Sequence, residues 1–228
     1  WRSTDLYTPE IDALAESGIK LMNYYTQPIC TPSRGSFISG RMPLRLGLQH
    51  GVIQGVQNYG LPLNETTLPD KLQAAGYTTY GVGKWHLGMY NNASTPIERG
   101  FDHFFGYFNG FEDYWEHSVA LGAPPSVEPV VGGYVDLHDN REVIRSLNGT
   151  YGPHIFADRA ERFILEHKAK KGASPLFLYY ALQNVHEPLE ATKEDLESSE
   201  CSGIPNARRK IFCGMARSAD RAIGTLRK

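Results

Sequence analysis

Helical and extended patterns of apolar and polar residues alternate along this chain. The segment Thr8-Pro9-Glu10 predicts a helix start, because a capping residue precedes a proline suited to the first helical turn, and that helix is expected to end near Gly18. The segment Pro69–Ala75 repeats this arrangement and is followed by Gly76. Both segments therefore predict short helices.

Two other segments have the composition of β-strands. Tyr77–Val82 is rich in β-branched and aromatic side chains, and the continuously apolar and aromatic character of Pro175–Gln183 predicts a strand covered on both faces. Two stretches have apolar residues at helical spacing, at positions Phe156, Ala160, Phe163 and Ile164, and at Phe212, Met215, Ala219, Ile223 and Leu226. Strands that alternate with helices predict an α/β fold with a layered sheet, in which functional sites collect at the carboxyl ends of strands.

The composition is that of an ordinary globular protein. Of the 228 residues, 41% are hydrophobic and 21% are charged, which excludes a disordered chain, a collagen-like fibre and a coiled coil. The net charge of -2 offers no basic surface for nucleic acid, and no apolar run reaches the roughly 18 residues that a membrane span needs. We therefore expect no nucleic-acid partner and no membrane span.

Both ends of the sequence indicate a partial chain. The sequence begins with Trp1 rather than an initiator methionine, and its last apolar helix, predicted over Ala207–Lys228, stops without a glycine cap. Between the predicted strands, the stretch Gly122–Gly133 is rich in glycine and proline, which predicts a surface loop rather than a domain boundary.

Sequons and cysteines bear on the cellular compartment. Three Asn-x-Ser/Thr sequences, at Asn64, Asn92 and Asn148, favour glycosylation and the secretory route. Three cysteines are too few for a disulfide framework. Cys201 and Cys213 are close enough for a disulfide to close a short loop, although two unpaired thiols fit the sequence as well.

The candidate chemistry is concentrated in the segment Cys30-Thr31-Pro32-Ser33-Arg34. Thr31 is a possible helix cap and Pro32 suits the first helical position, so the Cys30 thiol is expected at a positive helix terminus, one turn from the Arg34 guanidinium. Such a place favours an anion. Two other interpretations remain, a buried cysteine near a turn and a nucleophilic thiolate of low pKa.

Several ordered motifs resemble the sulfatase family. Cys30–Arg34, followed by Ser39-Gly40-Arg41, is similar to the family's Cys-x-Pro-Ser-Arg signature, and Gly83–Gly88 is similar to its second signature. In the order seen in the arylsulfatase B, I and J branch, the further similar segments are Asn23–Pro28, Arg45–His50 and Gln183–Pro188. The resemblance implies the alkaline-phosphatase-like layered fold, with residues 1–228 as a partial catalytic domain that lacks the first strand and the C-terminal part. It also implies a lysosomal or extracellular location.

In the family, the signature cysteine is oxidised to formylglycine in the endoplasmic reticulum by the formylglycine-generating enzyme. The resemblance therefore implies that Cys30 is the precursor of a hydrated aldehyde with two hydroxyl groups. One hydroxyl attacks the sulfur of a sulfate ester and expels the alcohol, and loss of the proton from the other ejects sulfate and restores the aldehyde. A serine would attack but would stay trapped as a sulfate ester.

The resemblance also implies roles for four other residues. Lys84 is expected to bind the sulfate oxygens, His86 to contact the formylglycine hydroxyls, and His186 to contact sulfate and protonate the leaving alcohol. Arg34 is expected to support the nucleophile. Because Lys84 and His86 are two residues apart at the end of a predicted strand, the pleat is expected to turn both to one face and Trp85 to the other.

Sulfatases of this type also bind a calcium ion, with the formylglycine at position 30 among its oxygen ligands. The family supplies an Asp-Asp pair on a first strand and an Asp-Asn pair on a strand after the histidine that corresponds to His186, and this sequence has neither pair at those places. Asp139-Asn140 precedes His186 and is interpreted as a loop. The other calcium ligands are therefore expected outside this chain, and the chain alone is expected to be inactive.

The expected function is hydrolysis of sulfate esters, either aryl sulfates or sulfated sugars such as N-acetylgalactosamine 4-sulfate in glycosaminoglycans. A non-catalytic relative that binds sulfated glycans is the alternative from another class, and a phosphoesterase on the related scaffold is a third. The nucleophile precursor Cys30 and its predicted partners are all present, which favours the enzyme, since a binding protein has no need of them.

Overall fold

The computed structural model describes residues 6–55, 57–120, 133–170, 172 and 174–227. The loop predicted at Gly122–Gly133 lies outside the described residues, apart from Gly133 itself. The strands are β1 (Thr78–Lys84), β2 (His103–Tyr107), β3 (Ser118–Ala120), β4 (Gly133–Val135), β5 (Leu137–Asp139), β6 (Glu142–Val143) and β7 (Leu176–Ala181). The helices are α1 (Pro9–Ser17), α2 (Cys30–Ser39), α3 (Pro43–Leu46), α4 (Leu68–Ala74), α5 (Gly152–Ala169), α6 (Lys193–Leu196), α7 (Ser199–Ser202) and α8 (Ala207–Leu226), with two short 3-10 helices at Asn92–Ser94 and Pro96–Arg99.

A mixed sheet of five strands lies at the centre, in the order β6-β5-β2-β1-β7. β1 pairs in parallel with both β2 and β7, with Lys84 opposite Tyr107 and Gly83 opposite Ala181. β5 runs antiparallel to β2 and to β6, while β3 and β4 form a separate antiparallel pair. The carboxyl ends of β1, β2 and β7 therefore meet at one edge of the sheet.

Apolar clusters cover both faces of the sheet, as the α/β prediction requires. On one face, α5 packs Phe156 and Phe163 against Tyr80 and Val82 of β1. On the other face, the elements around α2 and α3 form a second cluster, whose buried members are Ile38, Leu46, Leu48, Ile53, Leu61, Trp85, Leu87, Phe101, Phe104 and Phe108. The fold is thus α/β with helices on both sides of a mixed sheet.

The strand predicted at Pro175–Gln183 is shorter than expected and is not fully covered. β7 spans Leu176–Ala181, and all of its residues but Ala181 are only partly buried. Among the described strands β7 pairs with β1 alone, so it lies at an edge of the sheet. Side chains on both faces nevertheless pack against apolar clusters, Phe177 and Tyr179 on one and Leu176, Leu178 and Tyr180 on the other. Both faces are therefore covered as predicted, but less deeply than expected.

The predicted helix starts are observed, but the groups that cap them differ. At α4, Thr67 and Asp70 form a reciprocal capping box. At α1, the Thr8 side chain makes no capping hydrogen bond. Instead, the carboxylate of Asp220 on α8 accepts from the backbone N–H groups of Glu10 and Ile11, at 3.1 and 2.9 Å. A cap supplied by a distant helix gives no local sequence signal.

The structure pairs Cys201 and Cys213 in a disulfide that joins α7 to α8. This resolves the two possibilities left open by the sequence. A network of charges lies beside the disulfide, where the buried Asp195 accepts from Arg217 and Arg221, each at 2.9 Å. The short helices α6 and α7 are therefore fixed to α8 by covalent and ionic bonds together.

The three sequon asparagines Asn64, Asn92 and Asn148 are all exposed, Asn64 and Asn148 in turns and Asn92 at the start of a 3-10 helix. This exposure permits glycosylation, which stays a prediction. In the part of the chain that the structure describes, no helix combines the length and apolarity needed to cross a membrane.

Trp85 offers a test of the packing at the carboxyl edge of the sheet. Its ring is 1% exposed, contacts Phe101 edge to face, and donates from Nε1 to the carbonyls of Gly88 and Ser94. Trp85→Ala is expected to lower the free energy of unfolding by about 3 to 5 kcal/mol, measured by urea denaturation. Tyr25→Ala removes an aromatic side chain that is 87% exposed and serves as the control. Equal losses in the two variants would contradict this packing of the Trp85 ring.

Candidate functional site

Cys30 is the first residue of α2, at the carboxyl edge of the sheet. The prediction that Thr31 caps this helix was wrong, since Ile29 occupies the cap position in extended conformation without a side-chain cap. The Thr31 hydroxyl instead donates to the His86 carbonyl and accepts from the Ile53 N–H, both at 3.1 Å. Thr31 is fully buried, and it thereby joins the start of α2 to the segments that carry His86 and Ile53.

Lys84 is the last residue of β1, and its Nζ donates to the Cys30 sulfur at 3.0 Å. The residue before it, Gly83, has a φ of +96°, and a Cβ there would fall on the Ala181 carbonyl of the neighbouring strand. Lys84 is only 2% exposed. Burial and, secondly, the nearby Arg34 charge lower the pKa of its ammonium group to about 8.

Arg34 lies one turn along α2 from Cys30, as predicted. Its Nη1 donates to the Lys84 carbonyl at 2.9 Å and to the Tyr179 hydroxyl at 3.1 Å. Arg34 thus fixes α2 to the ends of β1 and β7 and brings a second cation close to the ammonium group of Lys84. Tyr179 is not among the residues predicted from the sequence, although the alternation of side chains along β7 places it on the same face of the sheet as Phe177.

His86 reaches the site by a route that the strand pleat did not predict. β1 ends at Lys84, and His86 has a φ of +58° outside the strand, so the argument from the pleat was wrong although both side chains approach Cys30. Its Nε2 lies 2.8 Å from the Ile53 carbonyl, which assigns the ring proton to Nε2. Its Nδ1 is buried and has no hydrogen-bond partner among the described residues.

Gly110 leaves the space in which the His86 ring lies. A Cβ at position 110 would lie within 3 Å of two atoms of the ring, Cε1 and Nε2. Position 110 must therefore be a glycine because the His86 ring, which is distant in sequence, occupies the space of a side chain there. No pattern in the sequence identifies this requirement.

His186 follows β7, as its place after the apolar strand predicted. Its Nδ1 lies 2.7 Å from the Glu187 carbonyl, and its ring is parallel to that of Phe111 with centroids 6.4 Å apart. The imidazole of His186, then that of His86, and the charge of Lys84 lower the pKa of the Cys30 thiol to about 4, against the opposing effect of burial. Both histidines and Lys84 therefore converge on one atom.

The arrangement is suited to binding an anion and to transferring protons at the same place. The ammonium group of Lys84 and the two imidazoles surround the Cys30 sulfur, which stands in for an oxygen if the residue is converted. A cavity of about 640 Å³ opens beside it, lined by Tyr24, Thr26, Gln27, Pro28, Ile29, Cys30, Ser33, Arg34, Phe37, Tyr179, Tyr180 and Ala181. Cys30 is partly exposed, so a ligand in the cavity reaches it.

The described residues do not provide a calcium site. Among them, no group of three histidine, cysteine or acidic side chains is placed to hold a metal ion. Asp139 ends β5 and its carboxylate accepts from Arg159 at 2.6 Å, while the Asn140 side chain accepts from the Phe104 N–H at 2.9 Å. The interpretation of this pair as a loop was therefore wrong for Asp139, which belongs to a strand, and right for Asn140, which lies in the turn after it.

The fold and site together define a class of protein, an α/β protein with a cysteine, a buried lysine and two histidines at the carboxyl edge of its sheet. The family profile described as Sulfatase matches residues 2–228. The chain belongs to the sulfatase family.

Named relatives and solved structures agree with this membership. Arylsulfatase J of Mus musculus is 41% identical over 224 residues, which cover 98% of this chain and 36% of the relative. N-acetylgalactosamine-6-sulfatase of Rattus norvegicus is 31% identical over 213 residues, covering 90% and 40%. The crystal structure of Ps i-CgsB aligns with a TM-score of 0.85 and 29% identity over 99% of this chain and 49% of that one. The chain thus spans about two fifths of the length of the curated relatives.

The lowered pKa of Cys30 predicts unusual reactivity of the unconverted thiol. A folded-state pKa of about 4 means that the thiolate persists as pH falls from 8 to 5 and is lost as pH falls through about 4. Alkylation by iodoacetamide, followed by mass spectrometry from pH 3 to 9, should therefore have its midpoint near 4. Protein unfolded in guanidinium chloride is the control and should show the midpoint of an ordinary thiol. A midpoint near 8 in the folded protein would contradict the proximity of the histidines and Lys84.

Proposed function

We propose that the protein that carries this chain hydrolyses sulfate esters, with Cys30 as the precursor of its nucleophile. The observation that carries the proposal is the convergence of Lys84, His86 and His186 on the Cys30 sulfur, with the Lys84 ammonium at 3.0 Å. Membership of the sulfatase family and the names of the relatives, arylsulfatases and a sugar sulfatase, support it.

Conversion of Cys30 to formylglycine would supply a hydrated aldehyde, with one hydroxyl to attack sulfur and a second whose deprotonation permits release of sulfate. The surroundings of position 30 are suited to this use. The residue begins α2 at the side of the cavity, and Thr31 anchors the helix start through two hydrogen bonds. A group at position 30 is therefore held in place and accessible at the same time.

Lys84 and Arg34 supply the positive charge for the sulfate group. The ammonium of Lys84 is protonated below its pKa of about 8 and has few waters around it, because it is 2% exposed. In such a site a cation stabilises developing negative charge more strongly than it does in water. Arg34 adds charge, and its hydrogen bonds to the Lys84 carbonyl and to Tyr179 keep the strand end in position.

The two histidines divide the proton transfers between them. Burial lowers the pKa of His86, which favours its neutral form, and its unpartnered Nδ1 is able to accept a proton from a hydroxyl at position 30. His186 is more exposed and its Nδ1 donates to the Glu187 carbonyl, so Nε2 is the atom that would donate a proton to the leaving alcohol from the imidazolium form of the ring. In this scheme an acid and a base act on one reacting group.

No step of this scheme is routed through the calcium ion of the family. Among the described residues, no group of three histidine, cysteine or acidic side chains is placed to hold a metal ion. The formylglycine at position 30 would be one of its ligands, and the remaining ligands are proposed to lie outside this chain. The scheme therefore rests on what Cys30, Arg34, Lys84, His86 and His186 do.

Sulfated sugars are the proposed substrates. One relative is named for N-acetylgalactosamine 6-sulfate chemistry, and Ps i-CgsB was solved in complex with a neocarrahexaose. The motif order of the arylsulfatase B, I and J branch favours N-acetylgalactosamine 4-sulfate in glycosaminoglycans. The three exposed sequons and the disulfide fit passage through the secretory pathway, with a lysosomal or extracellular destination.

Conversion of Cys30 is the first test of the proposal. Protein secreted from cells with active formylglycine-generating enzyme should yield a tryptic peptide around Cys30 with the mass of the aldehyde or its hydrate. Cells that lack the enzyme supply the control, in which the peptide should carry cysteine. Unmodified cysteine alone in the presence of active enzyme would contradict the proposed nucleophile.

Substitution of Lys84 tests the charge that the scheme assigns to the sulfate. In protein expressed from the complete gene, Lys84→Ala should lower turnover of 4-nitrophenyl sulfate by about a hundredfold or more, because it removes a buried cation from the transition state. Lys71→Ala, at an exposed lysine of α4, is the matched control and should retain activity. Wild-type turnover by the Lys84 variant, or faster hydrolysis of 4-nitrophenyl phosphate than of the sulfate, would overturn the assignment.

A further inference from the structure

The segment Gln183–His186, here called the histidine strap, follows β7 and belongs to no helix or strand. The backbone hydrogen bond within it joins the His186 N–H to the Gln183 carbonyl at 3.1 Å. Because no strand ladder fixes this segment, the position of the His186 ring depends on side chains that reach the strap from other parts of the chain.

Tyr114 contacts the strap at both of its ends. Its hydroxyl donates to the His186 carbonyl at 2.9 Å and to the Gln183 carbonyl at 3.2 Å. The side chain is fully buried, and burial raises the pKa of its hydroxyl, so the group stays a hydrogen-bond donor. One buried proton is therefore shared between two carbonyl oxygens of the strap.

Tyr114 is itself fixed from three sides. Its N–H donates to the Glu190 carboxylate at 2.9 Å, and its carbonyl accepts from the Gly152 N–H at 2.7 Å at the start of α5. Its ring stacks on that of Tyr151, with centroids 5.5 Å apart. A hydroxyl held in this way provides a rigid point to which an irregular segment is attached.

We propose that Tyr114 is a positioning residue that holds His186 against position 30. The proposal rests on the proposed function for the role of His186, but the placement of the ring is a property of the chain itself. Packing alone would require the ring of Tyr114 and not its hydroxyl, whereas here the hydroxyl is aimed at two carbonyls of the segment that carries His186. Gln183 adds a second attachment, because its Nε2 donates to the Glu112 carbonyl at 3.1 Å.

The test compares Tyr114→Phe with Tyr80→Phe. Tyr80 is a matched control, since it is equally buried and its hydroxyl pairs with His167 Nδ1 at 3.3 Å rather than with the strap. The first readout is the NMR signal of the His186 ring, assigned by its loss in His186→Gln. The second is the rate of Cys30 alkylation by iodoacetamide at pH 5, where a displaced His186 no longer favours the thiolate.

Tyr114→Phe should shift or broaden the His186 signal and slow alkylation several-fold, while Tyr80→Phe leaves both as in the wild type. The proposal is overturned if Tyr114→Phe matches the wild type, or if both variants change equally. If Tyr114→Phe fails to fold, Gln183→Met tests the other attachment of the strap. The same changes in the His186 signal and in the alkylation rate are expected, and wild-type values of both would overturn the proposal. Neither readout involves a sulfate ester. If the protein proved not to hydrolyse sulfate esters, the test of the Tyr114 role would therefore still be valid.

Discussion

Because β1 pairs in parallel with both β2 and β7, three strands deliver the chain to one edge of the sheet, and the site is built from residues at and just beyond the strand ends. Lys84 ends β1, and the strap with His186 comes after β7. The close approach of the strands is permitted at Gly83 and Gly106, where a Cβ would fall on a neighbouring carbonyl. Cys30 meets these ends because Arg34, a turn further along α2, donates to the Lys84 carbonyl.

The electrostatic character of the site is a consequence of this convergence. Lys84 is buried beside Arg34, and within the described residues no carboxylate pairs with its ammonium group. Burial of a cation is unfavourable unless an opposite charge accompanies it. In the unconverted protein the Cys30 thiolate supplies that charge, and the charge of Lys84 in turn helps to lower the pKa of Cys30. A sulfate group would supply the same negative charge, so the site favours an anionic ligand before any reaction occurs.

The sequence predicted the α/β class, several helix boundaries and the residues of the site, but not how those residues are held. The ordered motifs identify Cys30, Lys84 and His86 because their spacing within a motif is local. The caps, by contrast, depend on long-range contacts. Asp220 caps α1 from more than 200 residues away in the chain, and Thr31 bonds to His86 and Ile53 instead of capping α2. Local propensity contains no information about such distant partners.

Irregular segments surround position 30, and buried polar side chains fix each of them. Thr31 fixes the start of α2, and the hydroxyl of Tyr114 bonds the strap. Asp136, fully buried, accepts from the N–H groups of Phe108 and Asn109, and so fixes the turn whose Phe108 carbonyl accepts from the His86 N–H. Burial raises the pKa of Asp136 to about 7, so these hydrogen bonds only partly offset the cost of desolvating its charge. A strand ladder would fix such segments without that cost, but its regular backbone would not allow the conformation of His86, whose φ is +58°.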